Sequence, residues 1–269
     1  MELSKRFIVK PDTKVKLSEW DPNDTAGFKK KKEAKSAMAE NLKRLAELQY
    51  RLYAEDKRAV LVVLQAMDAG GKDGTIRHVM GPLNPQGCPV TSFKAPTKEE
   101  LAHDFLWRIH RAVPPKGAIG IFNRSHYEDV LVVRVHKLVP KSVWSERYEQ
   151  INAFEEALAA GGVCILKFYL HISKDEQLER FKSRLAEPDK HWKASPQDFE
   201  ERKYWDDYMS AFEAVLSKCS TSYAPWFIIP ANKKWFRNLA VSQILVEALA
   251  ALDPQFPEPE FDVSKIEVK

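Results

Sequence analysis

Hydrophobic and polar positions along the 269 residues fall into two alternating patterns. Five short segments predict strands, the first an apolar, β-branched run that reads as buried. They are Ala59–Leu64, Pro89–Phe93, Gly117–Phe122, Val163–Leu170 and Trp226–Pro230. Between them, apolar residues recur at helical spacing. From Lys29 to about Glu55 the face is Met38, Leu42, Leu45, Leu48 and Leu52. A short apolar helix follows the first strand (Ile76, Val79, Met80). Thr97-Lys-Glu-Glu100 is a capping box opening a helix through about Ala112. Lys141 to Ala160 is a long helix stopped by Gly161-Gly162. Ser173-Lys-Asp-Glu176 is a second capping box, opening a charged helix to about Glu187, which Pro188 breaks. Pro196–Lys218 and Trp235–Leu252 complete the set.

Strands alternating with helices imply βαβ units, hence a parallel sheet with helices on both faces. In such sheets ligands sit at the carboxyl ends of strands. No linker splits the chain, so residues 1–269 are expected as one domain. Residues 1–27 read as an N-terminal arm and 254–269 as a proline-rich tail with a candidate edge strand at its end.

Composition narrows the class. With 44% hydrophobic and 30% charged residues the chain suits a soluble globular fold. No run approaches the roughly 18 apolar residues of a membrane helix, and Met-Glu-Leu-Ser-Lys-Arg is no signal peptide. Three widely spaced cysteines suggest reduced thiols. Neither they nor the seven histidines show zinc-ligand spacing. The expected compartment is the cytoplasm, with no membrane and no structural metal. A net charge of +4 is compatible with an anionic substrate but too small to argue one. It is also a thin footprint for nucleic acid, and no recognition helix, RNP motif or stacking strip appears. Lys29–Lys32 place positive charge at a helix N-terminus, against the macrodipole. Either an anion lies nearby or the end is simply solvated.

The chemistry starts where the first strand breaks into Asp68-Ala-Gly-Gly-Lys-Asp-Gly74. Strand, glycine loop, lysine, helix presents backbone N–H groups and a helix N-terminus to phosphate. Asp68, Ala69, Gly70, Gly71, Lys72, Asp73, Gly74 and Thr75 are therefore candidate phosphate-site residues. The plainer alternative is a glycine-rich turn capped by a lysine. The loop is not a standard GxxxxGK[ST] motif: its first glycine would fall at Ala66, and Asp73 stands where the Mg²⁺-binding hydroxyl belongs. Two carboxylates instead flank the lysine, hard oxygen donors suited to Mg²⁺ shared with phosphate.

After the third strand comes Asn123-Arg-Ser-His-Tyr-Glu-Asp129, then Arg134. Such polar residues are usually solvated loop; beside a phosphate loop they form its opposite wall. Here the chain resembles the polyphosphate kinase 2 family. The resemblance runs through Leu64–Thr75, Phe122–Asp129, Leu170–Gln177, Trp192-Lys193, Trp205-Asp206, Ala224–Trp226 and Ile229–Ala231. It covers nearly the whole chain from Asp21 to the last helix.

The resemblance implies a P-loop kinase-like three-layer α/β/α fold with a five-stranded parallel sheet and a mobile helical lid at about 176–204. It implies reversible, Mg²⁺-dependent transfer of the terminal phosphoryl group of inorganic polyphosphate to a nucleotide. It makes Asp68, Lys72, Arg124 and Arg184 the catalytic set, with Asp68 holding the metal. Arg134 becomes a phosphate ligand of the second wall. Further lid charges are Arg180, Lys182, Lys190, Lys193 and Arg202, of which Lys193 is a candidate phosphate contact. Many members have Asp where this chain has Asn123, and Asn where it has Glu128. Members with Asn and Glu look like the subgroup accepting AMP as well as ADP; guanine nucleotides are a secondary expectation. A homo-oligomer, dimer or tetramer, is expected, although the residues do not set the number. His126 invites a phosphohistidine reading that nothing else supports, so it is taken as packing or a ligand contact. Two other functions compete. An ATP-dependent nucleoside monophosphate kinase would want the standard loop this chain lacks. A polyanion-binding module would want a stronger basic footprint.

Overall fold

The computed structural model describes residues 2–193 and 195–266. Five parallel strands form one sheet in the order β2-β3-β1-β4-β5: β1 Ala59–Gln65, β2 Val90–Ser92, β3 Ile119–Asn123, β4 Val163–His171 and β5 Trp226–Pro230. Every residue of β1 is buried, as befits a central strand covered on both sides.

The helices form two layers. Lys31–Glu55, the turn of helix Lys72–Thr75 with its π-helical continuation Ile76–Met80, and Lys234–Leu252 pack together on one face. Lys141–Ala160, Trp205–Lys218 and the turns at His126–Val130 and Val132–Val135 pack on the other. The chain leaves β1 on the first face and the adjacent β3 on the second. That divergence opens a crevice at their carboxyl ends.

All five predicted strands are present, as are the helices predicted from Lys29 to about Glu55, over Lys141 to Ala160 and over Trp235–Leu252. Two predicted helices are broken. Thr97 and Glu100 close a full capping box, yet the helix ends at Leu101; Asp104 Oδ1 then caps Leu106 N at 3.0 Å and a separate turn, Trp107–His110, follows. Pro196–Lys218 is interrupted by a 3-10 turn at Arg202–Tyr204.

The N-terminal stretch is not loose. Leu3, Phe7, Val9, Val15 and Leu17 are buried, and Val9 N donates to Trp226 O at 2.8 Å along the outer edge of β5. The edge strand expected at the tail's end lies outside the described residues; Val263–Lys265 just before it form a 3-10 turn. No helix among the described residues is long and apolar enough to cross a membrane.

Candidate active site

Beyond β1 the chain turns back on itself. Gly70 N donates to Met67 O at 2.9 Å, and Gly71 takes φ +106°, a left-handed conformation that glycine adopts without steric cost. Gly71 caps the following helix without a side-chain bond to its N–H groups, which leaves that first turn open to an anion. Lys72 is buried, its Nζ donating to Ala66 O at 3.0 Å. Burial lowers its pKa, and the Arg124 charge lowers it further. Thr75, a predicted phosphate contact, is not turned to the cleft: its hydroxyl bonds back to Gly71 O at 3.1 Å.

The β1–β3 register pairs Leu64 with Asn123, so the residues after β3 emerge beside the loop. Arg124 adopts φ +61°, with its N–H on Leu64 O at 3.1 Å and its Nη2 on Asp68 Oδ1 at 3.0 Å. Asn123 Nδ2 donates to Asp73 Oδ1 at 2.9 Å. Glu128 sits behind this pair. With the Gln65 amide turned to suit its neighbours, Nε2 donates to Glu128 Oε1 at 3.1 Å. Burial raises the Glu128 carboxyl while Arg124 and Lys72 oppose the rise. His126 and Tyr127 point inward to Glu155, with His126 Nε2 3.1 Å and Tyr127 Oη 2.8 Å from its Oε1. His126, expected as packing or a ligand contact, is thus fully buried and bonded to Glu155.

Two predicted cations are spent elsewhere. Arg134 is not brought to the loop. The short helix Val132–Val135 aims it at the Lys141–Ala160 helix, where it lies 5.0 Å from the Trp144 ring and bonds Tyr148 Oη at 3.1 Å. Arg180, predicted as a lid charge, is buried. Its Nη1 holds Ala69 O at 2.8 Å and Gly70 O at 3.0 Å, its Nη2 reaches Ala231 O and Asn232 O, and its Nε pairs Glu176 at 2.7 Å. Ser173 caps this helix at 3.1 Å, but Glu176 turns to Arg180 rather than closing the predicted box.

One turn further, Arg184 does line the cleft, paired with Asp198 at 3.2 Å. Lys193 reaches across to Asp73 at 3.8 Å. The segment folds as a helical hairpin, with Phe181 and Phe199 rings 5.3 Å apart.

These parts enclose one cleft of about 1210 Å³. Ten lysines and arginines line it against five carboxylates among the described residues. Lys31 belongs to the basic cluster noted at the first long helix. Lys94, Lys234, Trp235, Arg237 and Asn238 were not foreseen. Arg237 had one available signal: with Glu247, it is one of two charges in the otherwise apolar run Trp235–Leu252.

Residues 28–257 match the family model for Polyphosphate kinase 2. This chain belongs to the polyphosphate kinase 2 family. It is 54% identical over 266 residues to the AMP/ADP-polyphosphate phosphotransferase of Meiothermus ruber, covering 98% of this chain and 100% of that one. Identity to the ADP-polyphosphate phosphotransferase of Rhodopseudomonas palustris is 47%, over 95% and 92% of the two chains. The crystal structure of Polyphosphate Kinase 2 from Arthrobacter aurescens TC1 superposes with a TM-score of 0.91 at 45% identity, over 96% and 95% of the two chains. The parallel sheet and its helical layers are thus those of a polyphosphate kinase 2, and the chain is a phosphotransferase.

Proposed function

We propose that this kinase transfers the terminal phosphoryl group of inorganic polyphosphate to ADP and to AMP, reversibly and with Mg²⁺. One observation carries the reading: Lys72 of the loop and Arg124 of the facing wall line one cleft in which cations outnumber carboxylates ten to five. Donor and acceptor are both anions, so their repulsion is the main obstacle to contact, and phosphoryl transfer needs little beyond alignment and charge neutralisation.

Each residue then has a task. The Gly71–Lys72 turn offers N–H donors to a phosphate, and Lys72 adds a point charge. Arg124 and Arg184 bring planar forks suited to bidentate phosphate contacts. Asp68 lines the cleft with a hard oxygen donor set and commits only Oδ1 to Arg124. This fits Mg²⁺, which takes one or two carboxylates and completes its shell with water and phosphate oxygens. Bound there, the ion supplies further neutralisation of phosphate charge. Asn123, an amide where a carboxylate would add repulsion, favours AMP as a second acceptor. Residues about 176–204 act as the lid, its inner end pinned by Arg180 and its outer part carrying Arg184 and Lys193. The protein works in the cytoplasm on adenine nucleotides, as one domain and as a homo-oligomer.

The test is direct. The protein is incubated with polyphosphate, Mg²⁺ and separately AMP or ADP, and products are resolved by chromatography. ADP and ATP formation is expected. Turnover of AMP with ATP as donor but none with polyphosphate would instead make it a nucleoside monophosphate kinase.

A further inference from the structure

Gly74 poses a question the backbone does not answer. It lies inside the Lys72–Thr75 helix without a left-handed φ, where alanine is the better helix former. Its want of a side chain must serve space, and the space is taken. A Cβ there would meet Arg237 Nη2 at 3.0 Å; at Gly71 it would meet Arg237 Nη1 at 1.8 Å. The guanidinium of a residue on the last helix fills the place of two missing loop side chains.

Arg237 is 2% exposed yet lines the cleft. Its Nε and Nη2 bond only the side-chain oxygen of the next residue, Asn238, at 3.1 and 2.7 Å. No carboxylate among the described residues pairs with it. Its charged neighbours are cations: Arg180, whose own donors are taken by carbonyls and Glu176, and Lys234. Burial and Arg180 together push its pKa down to about 10. A buried charge without a partner is costly, and this one stands under a loop built for anions.

The geometry points to Arg237 as a second cation of the phosphate loop, admitted by Gly71 and Gly74, whose counter-ion is a phosphate group of bound substrate. This deepens the proposed function and rests on it. Arg180 and Arg237, two buried arginines on the same loop, then have opposite duties. Arg180 holds the loop's carbonyls and fixes its shape, while Arg237 waits for charge.

The test combines thermal melting with equilibrium titration of tripolyphosphate and, separately, ADP, on the full chain without turnover. In anion-free buffer Arg237→Met is expected to melt at or above wild type, because an unpaired buried charge is gone. Wild type is then expected to gain more from anion, and the variant to bind tripolyphosphate, ADP or both at least about tenfold more weakly, as befits loss of a charge-assisted contact. Which ligand loses more tells whether the donor chain or the nucleotide supplies the phosphate. Gly74→Ala should weaken the same ligand, and add nothing in the Arg237→Met background, a coupling diagnostic of shared space. Arg237→Lys, which keeps the charge, covers the case of a Met variant that does not fold. Wild-type affinity for both anions in the variants overturns the assignment alone. A wild-type protein that binds neither anion overturns the proposed function with it.

Discussion

Asp68 Oδ1 accepts a hydrogen bond from Arg124 Nη2 at 3.0 Å. The two residues follow β1 and β3, adjacent parallel strands whose connections leave on opposite faces of the sheet. Their contact therefore bridges the crevice that this topology opens. Under the proposed function it also sets the acid that would hold the metal against a cation that would meet phosphate. Substrate binding must share or exchange those partners. Arg124→Ala is expected to lower turnover by on the order of a hundred- to a thousandfold, the usual loss when a positioned donor is removed. Arg124→Lys should recover only part, because an ammonium cannot reproduce the planar fork. Steady-state rates with polyphosphate and ADP, beside a melting curve showing an intact fold, decide this.

Arg184 is held toward the cleft by Asp198 at 3.2 Å. If it neutralises charge as the phosphoryl group moves, Arg184→Ala lowers kcat by on the order of a thousandfold, as loss of an arginine finger does. Its partly exposed side chain leaves the fold unaffected. Wild-type-like turnover in a folded variant would remove Arg184 from the chemistry.

Lys167 and Glu155 form an ion pair with both side chains fully buried. Lys167 also donates to Tyr127 Oη at 2.8 Å and Cys219 O at 2.6 Å. The network anchors His126 and Tyr127, two and three residues past Arg124. Breaking it on one side strands a charge: Glu155→Gln or Lys167→Met alone should cost about 3–5 kcal/mol. The double variant should recover most of that loss, since neutral replacement of a buried pair is often tolerated. Urea unfolding of the three variants gives the comparison; additive losses would contradict it.

His171, at the end of β4, lies under the N-terminal stretch. Its Nε2 is 3.1 Å from Trp20 O, and its Nδ1 is buried without a partner. Burial pushes its pKa down to about 4 from an ordinary 6.5. The folded chain thus keeps the ring neutral while the unfolded chain protonates it first. Stability from this group is full above about pH 6.5 and is lost as pH falls toward 4, by at most about 3 kcal/mol. His171→Gln is expected to flatten that part of a stability–pH curve; an unchanged acid slope would assign the loss to other groups.

Much of this was legible before folding. Four of the five strands are short apolar runs, and burial on both faces of a parallel sheet leaves such runs little alternative; the edge strand β2 is largely exposed and was readable only from its flanking turns. The glycine loop with Lys72 and the polar residues after β3 were readable because they are local: their spacing sets what they can present. Lys167 was not. It stands inside the apolar run of β4, where period and propensity speak for neighbours and say nothing of a carboxylate on the Lys141–Ala160 helix. Arg134 misled for a similar reason. Proximity in sequence to Arg124 counts for little once a 3-10 turn and a short helix redirect the chain onto Trp144.

By itself the sequence determined the parallel α/β order of elements, the glycine–lysine loop after β1 and the residues available to face it, because these follow from local periodicity and backbone chemistry. Only the tertiary structure decided which cations line the cleft and which partners each one takes. Arg180 and Arg184 are one helical turn apart and both line the cleft, yet the donors of the first are taken by loop carbonyls and Glu176, while the second pairs with Asp198. Arg237 arrives from the last helix into room left by two glycines. A long charged side chain takes whatever partner lies within its reach, and that partner is set by how distant elements pack.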